Sequence, residues 1–224
     1  MAERPDAVAG ALRRSLLRMV RRGLRGVWLR GELPAGPFVW AANHHSWWDP
    51  FVASALLDRL GRAACLIMLQ ENLDRYQLVR RLGVFGTTEL RRGLVFLGEG
   101  RVLVIYPEGE LRGAGPPGDL ADGASWYARK ASVPLCAVAT RVAMRGHQAP
   151  EAYVSFAQID DSGPVNEITC RLATSLTNQL AVMDQATAAG EPRCQLPGYR
   201  LVVRGRHSVE ERIDAAARWL PWVR

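Results

Sequence analysis

The chain has 224 residues, of which 48% are hydrophobic and 23% charged, and its formal net charge is +7. This composition is typical of one globular domain and excludes the disordered, collagen-like and disulfide-scaffold classes. Eight arginines and two acidic residues lie within residues 1–30, so most of the net charge is at the N-terminus. We therefore predict that this end meets a membrane surface with anionic lipids. No nucleic-acid partner is expected, because nucleic-acid-binding domains more often spread basic residues over one face.

The first predicted element is an amphipathic helix from Leu12 to Trp28. At 100° per residue, leucine, valine and tryptophan side chains fall on one face and five arginines on the other. This composition is typical of helices at membrane interfaces, where a nearby arginine adds about 1 kcal/mol of binding to anionic lipid. The alternative is that the apolar face packs on the domain. We expect residues 1–33 to form a basic amphipathic arm and residues 34–224 the domain.

Short apolar strands alternate with helices along the rest of the chain. Strands are predicted at 38–42, 64–69, 101–106, 135–144, 152–159 and 199–203, and helices at 50–60, 71–82, 89–98, 124–131, 165–189 and 209–219. A turn-rich segment at 83–88 separates two of these helices. The alternation predicts an α/β protein, with a mixed, mostly parallel sheet flanked by helices and an N-terminal amphipathic helical extension.

The sequence contains neither an apolar stretch long enough to span a membrane nor a cysteine motif. No stretch approaches the roughly 18 apolar residues of a spanning helix. The four cysteines form no Cys-x-x-Cys pair, so we predict neither a metal site nor a redox motif, and we expect free buried thiols.

A polar segment from Asn43 to Asp49 follows a predicted strand and opens a helix. A histidine beside a carboxylate takes a proton from a hydroxyl group near neutral pH. His44 and His45 are both candidates, because either one lies within reach of Asp49. Alternatively, Asp49 only caps the helix and His45 only fills space beside Trp47.

A second polar segment, Tyr106 to Arg112, leaves another predicted strand for a glycine-rich loop. Glu108 and Arg112 are therefore expected at a sheet edge where ligands bind, and arginine is suited to hold a phosphate or carboxylate group. The alternative is a tight turn whose charges face water.

Together the segments resemble two blocks of the lysophosphatidate/glycerol-3-phosphate acyltransferase (PlsC-like) family, Asn-His-x-Ser-x-x-Asp and Phe-Pro-Glu-Gly-Thr-Arg. The matching residues are Asn43, His44, Ser46 and Asp49 in the first block and Tyr106, Pro107, Glu108 and Gly109 in the second. Residues 133–138 look like a further family block, Val-Pro-Ile-x-Pro-Val. The register of the first block selects His44 over His45.

The resemblance implies O-acyl transfer from acyl-CoA or acyl carrier protein to a hydroxyl of a lipid acceptor, without a covalent enzyme intermediate. His44 would be the general base and Asp49 would orient it, with no cofactor beyond the co-substrate. Asn43, Ser46, Glu108 and Gly109 would then contact substrate. A lipid acceptor implies a peripheral or monotopic protein on the cytoplasmic face of the membrane.

Two arginines of the family pattern are displaced in this chain. The stretch 83–89 lacks the arginine of the middle block, and Arg91 or Arg92 is the nearest substitute. In the later block the final threonine and arginine are replaced, and Arg112 lies one place further on. We therefore expect Arg91 and Arg112 in the substrate site. The acceptor implied by the resemblance would be a lysophosphatidate or other lysophospholipid, or, given the displaced arginines, a non-phosphate acceptor such as a glycosylated lipid.

Two other functions are compatible with these motifs. One is a thioesterase or esterase that uses the same pair of residues on water, and the other is a non-catalytic membrane-binding protein with this fold. For catalysis, His44→Ala is expected to cost about 10² to 10⁴ in rate. We expect Asp49→Asn to cost nearly as much through the wrong tautomer, and His45→Ala to cost little.

Overall fold

A computed structural model describes residues 6–218 of the chain. The predicted start of the arm before Asp6 and the end of the last helix at Trp219 lie outside the described residues. The helices are α1 (Ala7–Gly23), α2 (Asp49–Arg59), α3 (Gln70–Arg75), α4 (Leu90–Gly98), α5 (Gly123–Ala131), α6 (Val165–Ala189) and α7 (Val209–Ala217), with a 3-10 helix at Gln77–Leu82. The strands are β1 (Gly26–Arg30), β2 (Val39–Ala42), β3 (Ala64–Met68), β4 (Val84–Gly86), β5 (Val102–Ile105), β6 (Leu135–Ala143), β7 (Glu151–Ile159) and β8 (Arg200–Arg204).

The eight strands of the described residues form one sheet in the order β4-β3-β5-β2-β6-β7-β1-β8. Neighbouring strands are parallel except for the pairs β6–β7 and β1–β8. The predicted α/β fold with a mixed, mostly parallel sheet is confirmed. The parallel strands β2 to β6 all end at the same edge of the sheet, which we call the carboxyl edge.

Helices cover both faces of the sheet, and β2 shows how its residues divide between them. Trp40 and Ala42 pack into the core that includes α2, whereas Val39 and Ala41 pack into the core that includes α5 and α6. This alternation follows from the period-two geometry of a strand. Because both faces are buried, β2 reads in the sequence as a continuous apolar run.

The N-terminal helix ends earlier than predicted. It stops at Gly23, and residues 26–30 form β1 between β7 and β8, so the prediction of a helix as far as Trp28 was wrong. Gly23 lies against the indole of Trp48, which leaves no room for a Cβ at this position. The chain then turns extended at Leu24. Strand β1 therefore joins residues from before the predicted boundary at 33 to the sheet of the domain.

The apolar face of α1 packs on the domain. Val20 and Leu24 are buried in the core, and Leu17 packs against it. Five arginines of α1 are exposed, namely Arg13, Arg14, Arg18, Arg21 and Arg22. The structure thus has the alternative arrangement, in which the helix contacts its own domain and presents arginines outward.

Three smaller predictions need correction. The segment 71–82 is split between α3 and the 3-10 helix, and the turn-rich segment 83–88 contains the edge strand β4. All four cysteines are free, but only Cys65 and Cys136 are buried, whereas Cys170 and Cys194 are exposed. Within residues 6–218, every helix is too short or too polar to cross a bilayer.

Candidate active site

The two polar segments meet at the carboxyl edge, because β2 and β5 are neighbouring parallel strands. Asn43 follows β2 directly and anchors its loop to β6. Its side-chain amide donates to Thr140 O at 3.1 Å, and its carbonyl oxygen accepts from Thr140 N at 2.8 Å. Asn43 is fully buried. The side chain therefore continues the strand pairing by one step beyond β2.

The loop after Asn43 wraps around one oxygen of Asp49. Oδ2 lies 3.0 Å from His44 Nδ1 and accepts from the backbone N–H groups of His45 and Ser46, each at 2.9 Å. Asp49 does not cap α2, as the alternative prediction had it, because it is the first helical residue and its carboxylate points back at the loop. This oxygen holds His44 as the tautomer with hydrogen on Nδ1, so Nε2 carries the basic lone pair.

The ring of His44 is also held from the side. Tyr106 stacks on it with 4.6 Å between ring centroids and 30° between planes. Burial, with the Asp49 carboxylate nearby, raises the pKa of Tyr106 well above its ordinary value of 10.0. Tyr106 therefore stays neutral and acts as a flat support, while 22% of the His44 side chain remains exposed.

Glu108 joins the two loops from inside the protein. Its Oε1 accepts from His44 N at 2.8 Å, and its Oε2 accepts from Gly118 N at 3.1 Å and lies 3.3 Å from His45 Nε2. The side chain is 0% exposed. Because both oxygens face protein groups, Glu108 sets the position of the His44 backbone.

The second histidine is buried between two charged groups. Arg141 Nη1 lies 2.6 Å from His45 Nδ1, and the His45 side chain is only 3% exposed. A guanidinium group donates and never accepts, so Nδ1 is the acceptor and Nε2–H donates to Glu108. His45 therefore has no ring nitrogen free for a substrate, whereas His44 does.

Arg141 and Asp184 are part of this network and were missed at the level of sequence. Arg141 donates to both oxygens of Asp184, at 2.7 and 2.9 Å, and to Gly115 O at 2.6 Å. The available signal was an arginine inside the apolar strand β6, since a buried charge needs a partner. Asp184 lies on α6, and only the fold brings it to β6.

Three more of the predicted site residues, Ser46, Gly109 and Arg112, lie in the two loops around His44. Ser46 Oγ accepts from Trp48 N at 3.2 Å, which holds the loop. Gly109 has φ of +74° with open space around it. Arg112 N donates to His44 O at 2.8 Å, and its guanidinium pairs with Glu110 at 2.9 Å.

The predicted site residue Arg91 does not lie in these loops. It is exposed on α4, the helix that follows β4, and β4 is three strands away from β2 in the sheet. Within residues 6–218, no hydrogen bond or ion pair joins Arg91 to the loops around His44, and no cluster of histidine, cysteine and acidic side chains is arranged to hold a metal ion.

Comparison with known proteins assigns the chain to a family. The Acyltransferase family model matches residues 27–141, from β1 to the arginine that holds His45. The chain belongs to the acyltransferase family. Among solved structures it is similar to the 1-acyl-sn-glycerophosphate (LPA) acyltransferase PlsC from Thermotoga maritima. That similarity has a TM-score of 0.62 at 15% identity, covering 82% of this chain and 84% of the other.

A comparison with curated proteins returned no significant match. The family match and the structural likeness agree on an acyltransferase with the PlsC-like α/β fold. The match includes both loops that hold His44, Asp49 and Glu108, whereas Asp184 lies outside it.

Proposed function

We propose that this acyltransferase moves a fatty acyl group from acyl-CoA or acyl carrier protein to a hydroxyl group of a lipid acceptor. The observation that carries the proposal is the His44–Asp49 pair, whose 3.0 Å contact leaves His44 Nε2 facing outward as a base. Because such acyl donors occur in the cytoplasm, the proposal places the enzyme at the cytoplasmic face of a membrane as a peripheral protein.

The proposed reaction needs one base and no enzyme nucleophile. His44 Nε2 takes the proton of the acceptor hydroxyl as its oxygen attacks the thioester carbonyl carbon. The tetrahedral intermediate then collapses, the C–S bond breaks, and the leaving thiolate receives the proton from His44. Asp49 stabilises the imidazolium that forms in between. A positioned base of this kind contributes about 10² to 10⁴ in rate.

Glu108 and Asn43 take positioning roles in this proposal. Both side chains are buried and bonded to protein groups, so neither is open to an acceptor in this state. Ser46 likewise supports the loop. Gly109 and Arg112 remain at the surface of the site, and we assign substrate contact to these two residues.

The charges around His44 favour an acceptor hydroxyl without a neighbouring phosphate. Arg112 already pairs with Glu110, and Arg141 already pairs with Asp184. Among the described residues of this network, a phosphate dianion would therefore share each arginine with a carboxylate and be repelled by that carboxylate's charge. Of the two acceptor options, an uncharged lipid such as a glycosylated one meets less competition.

The test is release of free thiol from palmitoyl-CoA with a panel of lipid alcohols, with product masses determined. We expect release that depends on acceptor, is lost in His44→Ala, and persists in His207→Ala, whose side chain is 45% exposed elsewhere on the protein. Free fatty acid formed at the same rate with and without acceptor would refute the proposal in favour of a thioesterase. Faster acylation of lysophosphatidate than of every uncharged acceptor would refute the acceptor preference.

A further inference from the structure

The carboxyl edge of the sheet carries a row of exposed apolar side chains. Each of the strands β2 to β6 is followed, within six residues of its end, by a large apolar residue that is 46–63% exposed. In chain order these are Trp47 after β2, Leu69 after β3, Leu90 after β4, Leu111 after β5 and Met144 after β6. Because the five strands end at the same edge, these side chains share one side of the molecule.

This distribution is not the usual scatter of surface apolar residues. Thirteen large apolar residues are exposed within residues 6–218, and the other eight are spread over helices, the segment before the 3-10 helix, and β8. Single exposed apolar side chains need no explanation, but a group of them on one surface marks an interaction site.

Two members of the row lie beside the catalytic base. Trp47 is in the loop between His44 and α2, where its ring packs on Trp48 and Phe51 with centroids 5.3 and 4.5 Å away. Leu111 precedes the residue whose backbone N–H donates to His44 O. Each of the two loops around His44 therefore carries one exposed apolar side chain.

Arginines are found at the same edge. Arg21 and Arg22 form the last turn of α1, whose end lies against Trp48. Both are exposed, and neither makes an ion pair within residues 6–218. Exposed apolar side chains with unpaired arginines at the same edge complement a surface that is apolar inside and anionic outside, which is an anionic lipid bilayer.

We propose that the carboxyl edge docks on an anionic bilayer, with Trp47 and Leu111, one from each loop around His44, inserted into it. The proposal rests on the proposed lipid acceptor, which would then reach His44 without leaving the membrane surface. Helix α1 supplies arginines from its end but no inserted apolar face, because that face is occupied by the domain.

The experiment is co-sedimentation of the full chain with vesicles of equal parts phosphatidylcholine and phosphatidylglycerol, without donor or acceptor. We expect Trp47→Ser combined with Leu111→Ser to weaken binding about tenfold or more, and Arg21→Gln combined with Arg22→Gln to weaken binding to these vesicles but not to pure phosphatidylcholine. The matched control is Val8→Ser combined with Leu78→Ser. These exposed residues lie where α1 meets the 3-10 helix, at the Asp6–Arg81 ion pair, and should leave binding unchanged.

Circular dichroism and thermal melting establish that each variant is folded. Equal binding by wild type and by the folded Trp47/Leu111 variant would overturn the proposal, as would equal losses in the control. Sedimentation velocity tests the competing possibility that a second copy of the chain occupies the carboxyl edge. A wild-type dimer that is lost in the Trp47/Leu111 variant, together with no vesicle binding, would assign the edge to that second copy. Vesicle binding without any acyl transfer would instead contradict the proposed function.

Discussion

Replacing Asp49 with asparagine separates the effect of the carboxylate's negative charge from the effect of its hydrogen-bonding position. Oδ2 accepts from His44 Nδ1, His45 N and Ser46 N, while Oδ1 is buried without a partner. An asparagine that turned its NH2 group toward these donors would leave two backbone N–H groups unsatisfied, at about 1–3 kcal/mol each. We therefore expect the asparagine oxygen to take the place of Oδ2, so that His44 keeps its tautomer.

The expected rate loss follows from the lost charge alone. A carboxylate and an imidazolium about 4 Å apart attract by about 4 kcal/mol at an effective dielectric constant of about 20. The neutral bond that remains returns about 1 kcal/mol. The difference of about 3 kcal/mol corresponds to about 10²-fold in rate. A wrong tautomer, which the sequence pattern predicted for this variant, costs more, about 10⁴ in a serine protease.

The assay is the initial rate of acceptor-dependent thiol release by wild type, Asp49→Asn and Asp58→Asn. Asp58 is exposed on the same helix, so its variant controls for general effects of the substitution. A loss of about 10⁴ in folded Asp49→Asn would refute the reasoning that the two backbone amides hold the oxygen in place. Unchanged activity would refute the role of Asp49 altogether.

Three further outcomes follow from the contacts described above. Asp184→Asn, which leaves Arg141 without its carboxylate partner, should lower the free energy of unfolding in urea by about 1–2 kcal/mol; an unchanged value would exclude Asp184 as a support. Burial raises the pKa of the Cys65 and Cys136 thiols to about 12, so a thiol reagent at pH 8 should label two of the four cysteines in the folded protein and all four in urea. Burial raises the pKa of Glu211, but the hydrogen bond from the Ser208 backbone and the charge of Arg25 together outweigh burial, so the net shift of the pKa is downward from 4.5. Its stabilising effect is present above pH 4.5 and lost as pH falls through the folded pKa, so Glu211→Gln should flatten the urea stability profile between pH 5 and 3, whereas a parallel profile would contradict this.

The pairing of His44 with Asp49 was predictable because both lie in one short loop at the end of a strand. The choice between His44 and His45 was not settled by spacing, since both reach Asp49. It depends on Arg141, which follows His45 by nearly a hundred residues and meets it only because β2 and β6 are neighbours. The burial of His45 also changes the expectation for His45→Ala. That variant would leave Arg141 and Glu108 facing a buried gap, so we expect a loss of stability in place of a mild effect.

The N-terminal arm shows where periodicity misleads. Residues 12–28 keep a helical apolar pattern, yet the helix ends at Gly23 and Trp28 lies in β1. An apolar run that is buried on both faces of a sheet fits either period, so the pattern does not separate helix from strand there. Glycines at positions 23 and 26 were the local signal for the break, because glycine disfavours a helix by about 1 kcal/mol.

The central claim is that His44 acts as the base in acyl transfer. Its most direct test is kcat/KM for the acceptor in wild type and in His44→Ala, at saturating acyl donor and with both proteins shown to be folded. We predict a decrease of about 10² to 10⁴ in the variant. A value within threefold of wild type would contradict it and would move the catalytic base to another residue.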